Sequence, residues 1–575
     1  MKYINSNIVF HSIQKAFSFL PSNYRRKSLW LLLGILFNSF LELFGLASII
    51  PLLATILNPT LIHQNLILST LFELFGKPSF TTYICYLSGL IFIFFILKNL
   101  FGLYITTKQV RFSWDAYEQI SKDVLKSAYK KGFSYFNTEN SNTILNRVAG
   151  VPLSFSNMLL IQLFNFINEL TIVLIVVVSL LVYDAKICIL LCSVLSPFIF
   201  VFYKTTKDKI SIYNKELNDL SPTLWKPIFE MIFGFVDVKI GGVEAQFREK
   251  YFTGLRLSKV LRIKLSIIQS MAPRIIEIAV ICTVIMLLLY GVWSGKNASE
   301  IIGLLSIFGL AAYKTVPSLN RLMLSLVNIK GQEYNLEVLD EFLPIKKENK
   351  NKQSIPFSQK IAFNNVSFAY PNTEKKVLNQ LNLEIMKGEV VGFKGASGSG
   401  KTTAMNVLLG FLRPDTGTIS IDDLDLNEQN IAHWQSKLGY VRQDVFLIEG
   451  SVTENIAFGV TPQELDIEKL NNAISKAKLT DFVANLPNGV NTTLGERGAS
   501  ISGGQKQRIG IARALYLGAE VLFFDEATSA LDSLTEQEIN ASIQELNDGS
   551  LTMVIIAHRE SSLTFCNRII DFTEL

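Results

Sequence analysis

The sequence predicts a two-part chain: an all-α membrane domain of six spanning helices, then a soluble α/β domain built on a parallel sheet. Three observations predict it. Six apolar stretches long enough to cross a bilayer come first, a polar segment bounded by prolines follows, and short β-type runs then alternate with helical patterns to the end.

The 575 residues exceed one ordinary domain, and 49% of them are hydrophobic, with a mean hydropathy of +0.32. Crossing the hydrocarbon takes about 20 mostly apolar residues in a helix, because no backbone polar group can stay unpaired there. The six stretches lie near Ser28–Leu53, Tyr83–Ile105, Met158–Tyr183, Ile187–Tyr203, Ile267–Tyr290 and Ile301–Leu326. No small-residue cleavage site ends the first, which reads as a retained span and not a signal peptide. Basic residues crowd the N-terminal segment and the second and fourth connections, with Lys108, Arg111, Lys122, Lys126, Lys130, Lys131 and Arg147 in one and Lys204, Lys207, Lys209, Arg248, Arg256 and Lys264 in the other. By the excess of cations on cytoplasmic loops, both termini and both long connections are expected in the cytoplasm. These connections are amphipathic, so the spanning helices are expected to continue beyond the bilayer, with turns near Arg111–Glu118 and Pro222–Phe233 reaching the soluble domain.

The net charge of +5 is small for this length and excludes a strongly basic nucleic-acid binder. Cys85, Cys188, Cys192 and Cys282 lie in apolar runs without metal or disulfide spacing. Residues 61–76, "LIHQNLILSTLFELFG", suit a helix lying on the outer membrane surface or packing on the bundle. The domain division reads as 1–343 for the membrane part, 344–356 for the polar linker and 357–575 for the soluble part.

Within the soluble part, "GASGSGKTT" at 395–403 stands between the strand-like "EVVGFK" and a helical pattern. Gly395, Gly400, Lys401 and Thr402 satisfy the phosphate-loop spacing. Glycines let backbone N–H groups curl around phosphate oxygens at a helix N-terminus, Lys401 neutralises the β and γ phosphates, and Thr402 offers a hydroxyl to magnesium. Ser397, Gly398, Ser399 and Thr403 complete the expected cradle for ATP. In "VLFFDEATSALD", Asp525 and Glu526 end a buried strand. Asp525 is placed to hold Mg2+ through water, and Glu526 to polarise the attacking water as general base.

"ISGGQKQR" at 501–508, ahead of that carboxylate pair, resembles the signature of ATP-binding-cassette proteins. Also similar are Tyr370 in "SFAYPN", Gln443 in "YVRQD", "LGERG" at 494–498, "SALD" at 529–532 and His558 in "IIAHR". The resemblance implies a type IV exporter architecture and an ATPase coupled to transport. Tyr370 would stack on adenine, Gln443 would join Thr402 and Asp525 at Mg2+, and Gln443 and His558 would serve hydrolysis beside Glu526. It further implies a homodimer in which Ser502, Gly503, Gly504 and Gln505 of one chain meet the ATP held by Lys401 of the other. One cassette with six spans resembles a half-transporter.

Charged residues inside the spans need a cavity or a partner, and Glu42, Lys98, Glu169, Arg274, Glu277 and Lys314 are of this kind. Lys98, Arg274 and Lys314, on three spans, suggest a basic cavity for an anionic head group, although lysines can snorkel and Arg274 can pair with Glu277 one turn away. "APRIIE" at 272–277, "SIFGLAAYKTVPSLNRL" at 306–322 and "FEMIFGFVDVKI" at 229–240 resemble the lipid-linked-oligosaccharide flippases of the same family. That likeness implies a polyprenyl-pyrophosphate glycan as substrate, a bacterial inner-membrane location and pyrophosphate contacts at the same three cations. Two of these are lysine where the resembled flippases have arginine, which keeps the charge and loosens the geometry. The competing readings are an exporter of another lipid or amphiphilic drug, and a nucleotide-gated scaffold or channel. Intact Glu526 and His558 argue against the last.

Overall fold

The computed structural model describes residues 8–295, 297–343, 353–371, 373, 375–495, 498, 501–529, 531–557 and 559–573. The chain divides into two compact units, Met1–Lys346 and Lys347–Leu575.

The first unit is helical. Its first expected span is two helices, α1 (Ser22–Ala47) and α2 (Ile49–Leu57), interrupted at Ser48. Pro51 accounts for the break, since it has no N–H for the Ala47 carbonyl and its ring crowds that carbonyl. The remaining long helices are α3 (Phe80–Lys130), α4 (Ile161–Tyr183), α5 (Ala185–Phe233), α6 (Glu244–Trp293) and α7 (Ala298–Lys330), followed by α8 (Glu333–Phe342). At 1.5 Å per residue, the 51 residues of α3, 49 of α5 and 50 of α6 each run about 75 Å, against a hydrocarbon core of about 30 Å. The expected extension beyond the bilayer is therefore present. Pro197, Pro222 and Pro227 lie inside α5 without ending it.

Among the described residues, five segments are long and apolar enough to cross a membrane: Ser22–Leu53, Phe80–Lys130, Ser141–Val182, Cys188–Phe233 and Glu244–Trp293. The sixth expected span falls on α7, whose 33 residues suffice in length. In the five, only 11–29% of the most apolar window is buried within the chain, so the apolar side chains mostly face outward. Helix α5 packs along α6, and α4 along α7. Residues 61–76 form two short helices, Leu61–Gln64 and Leu66–Leu74. Asn65 caps the second by accepting from the Ile67 and Leu68 amides, and the Tyr83 hydroxyl of α3 donates to the Leu68 carbonyl at 2.8 Å. The segment thus packs on the bundle while Leu66, Ile67 and Leu74 stay exposed.

The second unit carries two sheets where a single parallel one is expected from sequence. Strands β1 (Lys360–Phe368), β2 (Leu378–Met386), β3 (Val390–Lys394), β4 (Thr416–Ile421), β5 (Leu424–Asp425), β6 (Leu438–Arg442), β7 (Val521–Asp525), β8 (Thr552–Ile556) and β9 (Arg568–Asp571) arrange as an antiparallel sheet β2-β1-β4-β5 and a parallel sheet β6-β7-β8-β3-β9. The additional sheet follows from alternation: β2 buries Leu378, Leu381, Leu383 and Ile385 and exposes polar neighbours, the pattern of a sheet covered on one face. In contrast, β8 is buried throughout.

Asp422 fastens the start of β1, its carboxylate accepting from the amides of Ser358, Gln359 and Lys360 at 2.8, 2.7 and 3.0 Å. Burial alone would raise its pKa, but these three donors outweigh it and hold the carboxyl below its usual range. A depressed folded pKa contributes stability above the unfolded value that is lost as pH falls through the folded one. Asp422→Ala should therefore lower the stability of this unit at pH 7 by about 1–2 kcal/mol, the scale of charge-assisted hydrogen bonds at a partly exposed site. Thermal melts should show the gap to wild type closing below the ordinary carboxylate range; a constant gap across pH would remove the charged form as its cause.

Candidate functional site

Four parallel strands bring their carboxyl ends to one edge of the sheet. Phe393 of β3 lies beside Ile556 of β8, and Asp525 of β7 beside both Ile556 and Arg442 of β6. Ligands of α/β sheets gather at such an edge.

The loop after β3 runs through Gly395, Gly398 and Gly400 at φ +146°, +82° and +100° and enters helix α9 (Lys401–Leu408). These are backbone conformations that favour glycine. At Gly400 a side chain would also meet the Val377 carbonyl at 3.0 Å. Lys401 is buried, its ammonium donating to the Gly395 and Ala396 carbonyls at 2.8 and 2.9 Å. The Ser399 hydroxyl is buried and unpartnered. A buried lysine whose hydrogen bonds among the described residues go to its own loop, near an orphaned hydroxyl of that loop, fits a phosphate group. Ser397 and Thr402 are exposed at the loop and first turn, whereas Thr403 is buried with its hydroxyl 3.2 Å from that of Tyr370. Tyr370 is 40% exposed, its ring nearly perpendicular to that of Phe368.

The Tyr440 hydroxyl of β6 donates to Asp525 Oδ2 at 2.9 Å. Burial pushes the Asp525 carboxyl above its usual range, the tyrosine donor partly offsets this, and the neighbouring Glu526 charge adds to the rise. Such a carboxylate gains from a cation. Glu526 takes φ +50°, an uncommon backbone conformation for a residue with a side chain, and its amide donates to the Ile556 carbonyl at 3.0 Å. Gln443, just past β6, is exposed. His558 lies outside the described residues, as do Glu496, Arg497 and Ala530 of the neighbouring motifs. Beyond His558, Arg559 and the Ser562 hydroxyl donate to buried Glu536 of helix α11 (Ser533–Glu545).

Ser502 caps helix α10 (Gly503–Leu517) in a reciprocal box with Gln505. Gly504 allows a close approach to α11, for a Cβ there would lie 2.5 Å from the Thr535 methyl. Ser502 and Gly503 are exposed, presenting a capped helix N-terminus to whatever stands beyond this chain. Buried Gln507, one turn on, donates to the Arg442 and Gln443 carbonyls at 3.0 and 2.7 Å. Sequence reasoning missed Tyr440, Glu536 and Gln507, since each acts through a strand or loop remote in sequence.

In the membrane unit, Lys314 is ion-paired with Glu42, and Lys98 lies near both. Among the described contacts Arg274 does not join them. It pairs with Glu277 of its own helix at 3.6 Å and is 80% exposed. A stronger pair was not foreseen: Arg321 Nε and Nη2 hold Glu169, 4% exposed, at 2.6 and 3.2 Å. Arg321 stands seven residues after Lys314, on the same helical face two turns along, and that spacing could have revealed it. Asn168 donates to Glu169 at 3.3 Å and accepts from Ser39 at 2.9 Å, extending the network to α1.

A family model described as "ABC transporter" matches residues 378–529. The ATP-dependent lipid A-core flippase of Cupriavidus metallidurans is 30% identical over 405 residues, 68% of this chain and 67% of the relative. That of Francisella tularensis subsp. holarctica is 29% identical over 466 residues, 78% of this chain and 74% of the relative. A solved bacterial Atm1-family ABC exporter with ATP bound superposes with a TM-score of 0.76 at 22% identity, covering 95% of this chain and 93% of that one.

Proposed function

The chain belongs to the ATP-binding-cassette transporter family, and from that premise we propose that this half-transporter works as a homodimeric flippase for a lipid-linked oligosaccharide. It takes a polyprenyl-pyrophosphate glycan from the cytoplasmic to the outer leaflet of a bacterial inner membrane, with both termini in the cytoplasm. The membrane domain is assigned to 1–343, the linker to 344–356 and the cassette to 357–575.

In this reading the amides after Gly395 and the Lys401 ammonium bind the phosphates, and Tyr370 stacks on the base. Thr402, Gln443 and Asp525 hold Mg2+, which would supply charge neutralisation at the phosphates when bound. Glu526 takes a proton from the attacking water, with His558 and Gln443 orienting the reacting groups. Ser502 and Gly503 of a second copy close over the nucleotide, Gly504 and Gln505 holding that helix end in place. Closure and reopening of paired cassettes then drive the membrane helices.

The observation that supports the substrate is the pair of lysines, Lys98 and Lys314, gathered around one carboxylate among apolar helices. Cations kept there at a cost suit an anionic head group. A second reading, export of another lipid, is favoured by the name of the relatives, lipid A-core flippase. Translocation of a fluorescent polyprenyl-pyrophosphate oligosaccharide in proteoliposomes with MgATP separates the two. Replacing Lys98, Arg274 and Lys314 together by alanine should reduce that translocation at least tenfold while basal ATP hydrolysis remains. Undiminished transport by the triple variant removes the basic cavity, and failure of the wild type to move this lipid while hydrolysing ATP favours the second reading.

A further inference from the structure

One carboxylate and two ammonium groups from three helices meet within the apolar part of the chain. Lys314 of α7 is ion-paired with Glu42 of α1, and their side chains are only 19% and 24% exposed. Lys98 of α3 lies in the field of both charges. Its stem crosses Gly45, one turn along α1 from Glu42, where an added Cβ would stand 3.3 Å from Lys98 Cδ. Its ammonium sits 4.7 Å above the Phe95 ring. Two cations share one anion, so this trio keeps one positive charge uncompensated.

An unpaired ammonium in hydrocarbon is costly, and Glu42 relieves that cost while no ligand is present. A first negative charge can therefore settle on Lys98, whereas a second must compete with the carboxylate already in place on Lys314. We infer that Glu42 is a resident counter-ion that sets the charge a substrate must bring: a head group with two or more negative charges displaces it, whereas a single charge leaves it in place. This rests on the basic-cavity reading proposed above. The same side chain assists departure, because Glu42 pairs with Lys314 again as the head group leaves and no bare cation remains. Glu42 thereby sets selectivity by acting through the lysines, without touching the lipid.

The test is binding of a polyprenyl-pyrophosphate sugar, whose head group carries two negative charges, and of a polyprenyl-monophosphate sugar, a phosphodiester that carries one, to the full chain in nanodiscs, with ATP turnover measured alongside. Wild type should bind the pyrophosphate about tenfold more tightly, the scale of one screened charge pair. Glu42→Gln, which frees Lys314, should bind both lipids about tenfold more tightly than wild type does. Its lipid-stimulated turnover should fall, since release is no longer assisted, and Glu42→Asp should restore wild-type affinity and turnover. Equal affinity of the wild type for the two lipids overturns the inference and needs no variant. Weaker binding of both lipids by Glu42→Gln overturns it too, leaving Glu42 a structural role. If Lys98→Ala and Lys314→Ala leave both affinities unchanged, or neither lipid binds, the basic-cavity reading falls with it. Dependence on the lysines without dependence on Glu42 sinks this inference alone.

Discussion

Glu526→Gln should bind MgATP with wild-type affinity and lose roughly 100- to 10,000-fold in turnover, the range associated with removing a general base. The substitution is well matched to the site. Gln keeps the length of the side chain, and the hydrogen bond that its backbone amide donates to the Ile556 carbonyl does not involve the side chain, so the φ of +50° and the position of β7 survive the change. What disappears is a proton acceptor beside Asp525. Asp525 keeps its Tyr440 donor at 2.9 Å and loses a neighbouring negative charge, so its hold on a cation is preserved. Single-turnover hydrolysis and equilibrium nucleotide binding measured on the same preparation check the split. Persistent hydrolysis would exclude Glu526 as the base, and loss of binding would make its role architectural.

Glu169→Ala should destabilise the membrane unit by on the order of 3 kcal/mol, because it strips the carboxylate from a guanidinium within the helical bundle. Glu169 is 4% exposed and receives two bonds from Arg321 and one from Asn168. Arg321 itself is half exposed, and that access to surroundings limits the loss. Removing both partners as Glu169→Gln with Arg321→Met should recover much of it, since no charge is then left unpaired. Thermal stability in detergent, read for both variants, decides the matter. A single variant as stable as wild type would mean that Arg321 finds another partner.

The cassette was legible in sequence because its chemistry is local. The phosphate loop is contiguous, its glycines and lysine have fixed spacing, and the strand and helix on either side appear in the expected order. Asp525 and Glu526 were visible for the same reason, at the end of four apolar residues. The antiparallel sheet was not separated from the parallel one, since the alternation of β2 marks a half-covered strand, while only pairing reveals that β1 joins it to β4 in a separate sheet. Spans were readable as apolar lengths, but the interruption before Pro51 required weighing one proline against five others that helices elsewhere in the unit accommodate, at 197, 222, 227, 273 and 317. Charges within the spans were visible and their partners were not: Glu42 and Lys314 are separated by 272 residues, and Glu169 and Arg321 by 152. An isolated lysine in an apolar run looks the same whether it awaits a ligand or already has a carboxylate.

The Gln507 side-chain amide holds the carbonyls of Arg442 and Gln443 from a helix that begins at Ser502. In the proposed homodimer, with cassettes joined head to tail, Gln443 would attend one nucleotide and Ser502 the other. Gln507 would then bridge the two ligand positions, its two hydrogen bonds tying the Arg442–Gln443 loop to the helix that Ser502 caps. By thermodynamic reciprocity, whatever factor the first ATP adds to the affinity for the second, the second returns to the first. On that proposed arrangement, cooperativity between the nucleotides would have a physical carrier inside each subunit, separate from the contact between subunits.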